Sequence, residues 1–189
     1  MYPAAAGNCH SMPTNSFLEK YPNLFREVVW PWGPTRATFI LFDSPPAKEK
    51  ISNINIVPRL AENWVSIRLK DGTQEIPGGT LEPNESYLDA IRRELLEEAG
   101  AQLISFKIIG GWHCFSLADK PFRPHLTHPE FYRVVGVGEI KIIKRPENPP
   151  DGEVVELVEV ASMEATMNRF LSIGRPDLSE LYQLAFELN

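Results

Sequence analysis

Apolar residues arrive first in short runs and then, midway along the chain, at helical spacing. The run Ala37–Phe42, ended by Asp43-Ser-Pro-Pro, predicts a strand. Ile54–Val57 and Trp64–Leu69 predict two more, with a turn at Lys70-Asp71-Gly72 after the second. Ile76-Pro-Gly-Gly79 is a rigid stop followed by two residues that tolerate unusual backbone angles. From Glu85 to Ala99 the period changes: Tyr87, Leu88, Ile91, Leu95 and Leu96 recur at steps of three and four, an amphipathic helix closed by Gly100. Beyond it, Leu103–Ile109, Trp112–Leu117 and Phe131–Ile143 predict strands. Pro146–Gly152 predicts a loop, Glu153–Val160 another strand, and about Met163–Ser172 and Pro176–Leu188 two helices, the last with proline in its first turn. Residues 1–35 hold Pro3, Pro13, Pro22, Pro31 and Pro34 and show no sustained period. They read as an N-terminal extension with one short helix around Phe17–Phe25, serving as tail, lid or dimer contact, ahead of a domain over 36–189. Strands interleaved with helices indicate an α/β sandwich.

Composition narrows the class without naming a chemistry. A chain of 189 residues is one ordinary domain and too short for an eight-fold α/β barrel. Cys9 and Cys114 are too few for a disulfide framework or a structural zinc site and suit a reducing compartment. No apolar run is long enough to span a membrane, and no basic stretch precedes an apolar one at the N-terminus, so a cytoplasmic protein is expected. The net charge of -6 argues against general nucleic-acid binding through a basic face, yet leaves room for a nucleotide held through a metal. The 17 prolines, nearly twice the usual share, point to many loops.

The charge is concentrated. Gly79–Ala101 carries Glu82, Glu85, Asp89, Glu94, Glu97 and Glu98 against only Arg92 and Arg93. At about 100° per residue, Glu94, Glu97 and Glu98 share one helix face. Like charges at such spacing cost a few tenths of a kcal/mol per pair, so something should offset them. A hard divalent cation with oxygen ligands does so, and the lack of a Cys/His cluster points away from zinc. The plain alternative is a solvated acidic face.

The surrounding pattern favours the cation. Gly79, Glu85, Arg93, Glu94, Leu95, Glu97, Glu98 and Gly100 fall on G-x5-E-x7-R-E-U-x-E-E-x-G-U, with U a bulky aliphatic residue, so the chain resembles the Nudix hydrolase family. Ala101 is smaller than the usual last residue, a departure expected to affect packing rather than metal binding. The resemblance implies an α/β/α sandwich with a mixed sheet between helices and Mg²⁺, with Mn²⁺ as an alternative. It implies hydrolysis of the pyrophosphate bond in a nucleoside diphosphate linked to another moiety. On that basis Glu94, Glu97 and Glu98 would be metal ligands, Glu94 would also orient or deprotonate water, and Arg93 with Glu85 would brace the helix. A backbone carbonyl of Gly79 or Gly78 would complete the metal shell. The family often adds an acidic residue from outside the box, and Glu139 is the first choice, with Glu130 and Glu153 as alternatives.

The proline-rich connection Ala118–Glu130 is the second place to look, because long ordered loops are often functional. Lys120, Arg123, His125 and His128 are candidates to contact phosphate, and Phe122 to stack on a base. Trp30, Trp32, Trp64 and Trp112 read as packing residues, Cys114 as buried and unreactive, and His10 and His113 have no visible partner. The expected function is a magnesium-dependent pyrophosphohydrolase acting on a small nucleotide derivative: a nucleotide sugar, ADP-ribose or a nucleoside triphosphate. The alternatives are a catalytically silent nucleotide-sensing module and an RNA 5′-end pyrophosphohydrolase. The extension could support a homodimer.

Overall fold

The computed structural model describes residues 10–11, 15–30, 33–149 and 154–189. Cys9, Trp32, Glu153 and the side chain of His10 lie outside the described residues. The described residues begin with strand β1 (His10–Ser11) and helices α1 (Asn15–Lys20) and α2 (Pro22–Phe25). The single helix expected there is divided at Tyr21, because proline at 22 cannot continue a helix that precedes it. Strands β2 (Val28–Trp30), β3 (Thr35–Phe42), β4 (Ile51–Leu60) and β5 (Asn63–Leu69) follow. Two short strands, β6 (Gln74–Glu75) and β7 (Gly78–Thr80), lead into helix α3 (Tyr87–Ala99). After it come β8 (Ala101–Leu103), β9 (Lys107–Ser116), β10 (Glu130–Ile142), β11 (Val155–Ala161), α4 (Met163–Ser172) and α5 (Pro176–Leu188).

The strands form one mixed sheet in the order β1-β3-β9-β10-β4-β5-β11, with β2, β6, β7 and β8 paired along it. Only the central β10–β4 ladder is parallel among the pairings of the described residues. One face carries α3 over Ile54, Ile56, Val65 and Val134. The other carries α2, α4 and α5 over Phe39, Val57, Trp64 and Val135. The fold is therefore an α/β/α sandwich, as expected.

Two departures have physical causes. The break expected near Gly110-Gly111 is absent, and β9 runs through it, because these glycines serve close approach between strands. A Cβ at Gly110 would stand 2.4 Å from the Ile40 carbonyl oxygen, and one at Gly111 the same 2.4 Å from that of Arg133. The described part of the N-terminal segment is also no loose tail. Tyr21 is 0% exposed, Leu24 and Phe25 join the core with α5, and β2 extends the sheet on β3. The Glu180 carboxylate accepts the Asn23 and Leu24 N–H groups at 2.8 and 2.7 Å and fixes α2 on α5. No helix among the described residues is long and apolar enough to cross a membrane.

Candidate active site

Helix α3 is delimited by its own sequence. The Ser86 hydroxyl oxygen accepts the Asp89 N–H at 3.2 Å, capping the first turn, and Gly100 ends the helix in the left-handed conformation with φ +58°. Ala90, Ile91 and Leu95 are buried against the sheet, and this turns Glu94, Glu97 and Glu98 toward β7. β7 in turn lies on β4, with Gly78 opposite Asn55, Gly79 opposite Ile54 and Thr80 opposite Asn53. Strand and helix approach so closely that a Cβ on Gly79 would sit 2.1 Å from Glu94 Oε1. Glycine is required here by the position of a carboxylate. On the neighbouring residue, the Gly78 N–H donates to Glu98 Oε2 at 2.8 Å.

Arg93 ties the box together. Its Nε and Nη2 donate to the two Glu85 oxygens at 2.9 and 3.0 Å. Its Nη1 reaches Glu94 Oε1 at 2.8 Å and Glu97 Oε2 at 3.3 Å, and Nη2 reaches the Thr80 carbonyl at 3.3 Å. Glu85 also accepts the Glu82 N–H at 2.8 Å, so the connection before α3 is fastened to the same guanidinium. The hydrogen bond to Glu85 raises the Arg93 pKa despite partial burial. Burial pulls the Glu85 pKa up, but the bonds from Arg93 and the Glu82 N–H outweigh it and bring it below the ordinary carboxylate value. Glu94 is only 8% exposed, and there burial wins over the Arg93 charge, leaving the carboxyl pKa raised.

These donors suit a hard cation in kind: three carboxylates beside a glycine strand whose missing side chains leave backbone oxygen accessible. They do not stand gathered as one ligand set, and no cluster of three or more His, Cys, Asp or Glu arranged to hold a metal occurs among the described residues. Glu94 and Glu97 share the Arg93 Nη1 donor, and Glu98 accepts the Gly78 N–H. Glu139 is not brought near them. It lies opposite Arg59 on β4, about 13 Å along the strand from Asn55 at ~3.3 Å per residue, and pairs with the Arg59 guanidinium. Glu130 sits at the other end of β10, bonded to Lys50 at 2.7 Å and to His113 at 2.8 Å, which supplies the partner the sequence did not show for His113.

A cleft of about 830 Å³ opens beside the box, with Gly78, Thr80 and Glu98 on its wall. Lys120, Phe122 and His128 of the loop expected to contact substrate also line it, whereas Arg123 and His125 do not. Arg123 Nη1 donates to Glu82 Oε1 at 2.9 Å, His125 Nε2 to the Leu81 carbonyl at 2.8 Å, and His128 Nε2 to the Ala118 carbonyl at 2.9 Å. Several lining residues were not anticipated. Trp30 and Trp112 meet edge to face at 6.1 Å, and the Arg133 guanidinium lies 5.1 Å over the Trp30 ring, so these two tryptophans do more than fill the core. Asn53 and Asn55 face the cleft from β4. The polar alternation in Ser52-Asn-Ile-Asn55, inside an otherwise apolar strand, is the signal that marks them. Trp64 is buried against Tyr182 as expected, and burial pushes the Cys114 thiol up to about 12, which leaves it unreactive.

Comparison with known proteins agrees with this geometry. The family model described as NUDIX domain matches residues 58–181. A candidate 8-oxo-dGTP diphosphatase of Bacillus subtilis (strain 168), YtkD, is 33% identical over 69 residues. That match spans 36% of this chain and 44% of the relative, so the chain covers less than half of the curated relative's length. Solved structures share the fold, two of them as follows. A mutant of the pyrophosphohydrolase BsRppH from Bacillus subtilis has a TM-score of 0.53 at 20% identity, covering 71% of this chain and 76% of its own. A NUDIX hydrolase from Nitrosomonas europaea has a TM-score of 0.50 at 18% identity, covering 74% and 90%.

Proposed function

The chain belongs to the NUDIX domain family, and from that premise we propose that it is a divalent-metal-dependent pyrophosphohydrolase of a small nucleotide derivative. The observation that carries this reading is Glu98 standing on the wall of the cleft beside Gly78 and Thr80, with Glu97 next to it in the chain and Glu94 about one helical turn away. Glu97 and Glu98 would hold Mg²⁺ or Mn²⁺. The ion, when bound, supplies charge neutralisation on the phosphate oxygens. Glu94 is fixed by Arg93 and Gly79 and orients the attacking water. The water oxygen bonds to phosphorus as the phosphoanhydride P–O bond breaks, the leaving phosphate takes the bonding pair, and a proton passes from the water to a carboxylate. Arg93 and Glu85 keep the helix and its preceding loop in register throughout.

The aromatic wall of Trp30 and Trp112 gives a nucleobase a surface to stack on, at about 1–3 kcal/mol per stacked base in comparable sites. The name of YtkD places 8-oxo-dGTP at the head of the substrates to try. A reducing, cytoplasmic setting agrees with the buried Cys114 thiol. The test is a panel of about thirty nucleoside di- and triphosphate derivatives with magnesium, followed by phosphorus NMR. Release of a monophosphate from at least one supports the reading. Tight binding of one with turnover of none would favour the sensing alternative.

A further inference from the structure

The loop between β9 and β10 supplies Lys120, Phe122 and His128 to the cleft, whereas Arg123 and His125 bond away from it. Phe122 is 82% exposed at the cleft, while its neighbour Arg123 reaches Glu82 at 2.9 Å. Two residues on, His125 donates to the Leu81 carbonyl at 2.8 Å. Both acceptors lie in the connection from β7 to α3. Within that connection the Leu81 N–H donates to the Ser52 carbonyl at 2.9 Å, and the Glu82 N–H to Glu85 Oε2 at 2.8 Å. Glu85 then holds Arg93, and Arg93 holds Glu94 and Glu97. An unbroken set of polar contacts therefore leads from Arg123 to the carboxylates. The loop is itself closed, by Leu126 N–H to the Arg123 carbonyl at 3.0 Å and by His128 to the Ala118 carbonyl at 2.9 Å. It can bear a load rather than follow its neighbours.

We propose that this loop is a strap and that Arg123 and His125 are positioning residues, which set the connection before α3 and so the Glu85–Arg93–Glu94 brace, rather than ligands of the substrate phosphates. The role rests on the hydrolase reading above, and the function divides along the loop: Lys120 and Phe122 meet the nucleotide while Arg123 and His125 hold the machinery. An ion pair half open to water is weak alone, yet two contacts on adjacent residues constrain a short connection more than either does singly.

The direct test is amide hydrogen exchange on the full chain with no nucleotide, following the bonded N–H groups of Leu81, Glu82 and Glu85. Arg123→Ala and His125→Ala should each speed their exchange about three- to fivefold, leaving Ile91 and Leu95 of α3 unchanged. The charge swap Arg123→Glu with Glu82→Arg should restore the native rate. Native exchange in both single variants would overturn the strap. A second arm uses 8-oxo-dGTP and magnesium. Arg123→Ala should lower kcat with KM unchanged and Arg123→Lys should recover most of it, whereas a raised KM at constant kcat would make Arg123 a substrate ligand and overturn the role. Failure of the wild type to turn over 8-oxo-dGTP would count against that substrate alone, since the exchange measurement stands without it.

Discussion

Individual residues in this protein are constrained by their contacts more than by their type. Gly79 is the sharpest instance: its missing Cβ is the space in which the Glu94 carboxylate sits. Gly79→Ala should fold, because the clashing atom is the end of a flexible side chain. It should lose about tenfold or more in turnover as Glu94 is displaced from its place beside Arg93. Thermal melting and steady-state rates on the same preparation would check this, and a native rate would show that the position of Glu94 is immaterial. Glu130 offers a pH test away from the box. Hydrogen bonds from Lys50 and then His113 hold its carboxyl below the ordinary value of 4.5. A lowered carboxylate pKa contributes stability that is present above the ordinary value and is lost as pH falls through the folded one. Glu130→Gln should therefore melt about 1–4 °C lower at neutral pH, with the gap closing below pH 4.5. A gap that is constant across pH would contradict the ion-pair account.

At the scale of elements, the box is a helix fastened to a glycine strand by one guanidinium. Arg93→Ala removes its bonds to Glu85, Glu94, Glu97 and Thr80 together and should cost about 2 kcal/mol. That corresponds to a melting point lower by about 4–8 °C, with a lower rate; native melting together with native turnover would exclude the bracing role. This element was legible in the sequence, since helical spacing, cap residues and the box pattern are all local. Met163–Ser172 and Pro176–Leu188 were legible for the same reason. The elements that escaped are defined by partners far along the chain. β7 exists because Gly78–Thr80 pairs with Asn53–Asn55, and β9 continues through Gly110 and Gly111 because two neighbouring strands press on them. Periodicity carries neither fact. The charge of Arg123 and His125 is visible in sequence, and their bonding to Glu82 and Leu81 is not.

Over the whole molecule, the sheet separates a helix bearing the carboxylates from a layer of helices that complete the core, and α2 belongs to that second layer. Tyr21, Leu24 and Phe25 together bury enough apolar surface to contribute about 5–9 kcal/mol, comparable with the entire stability of a small domain. A chain starting at residue 36 should therefore fail to give a cooperative melt, and one that melted like the full chain would restore the view of these residues as an appendage. The proline punctuation of this segment hid its role, since short helices packed by α5 need no period of their own. The claim that binds these scales is that Glu97 and Glu98 convert a folded acidic face into a metal-dependent hydrolytic site. The most direct measurement is a magnesium titration of nucleotide hydrolysis by the wild type and by Glu97→Gln and Glu98→Gln, with melting recorded for each. The account predicts native melting and turnover reduced about 10²–10⁴-fold in both variants, with wild-type activity abolished by chelation. Native rates in both variants, or hydrolysis indifferent to magnesium, would contradict it.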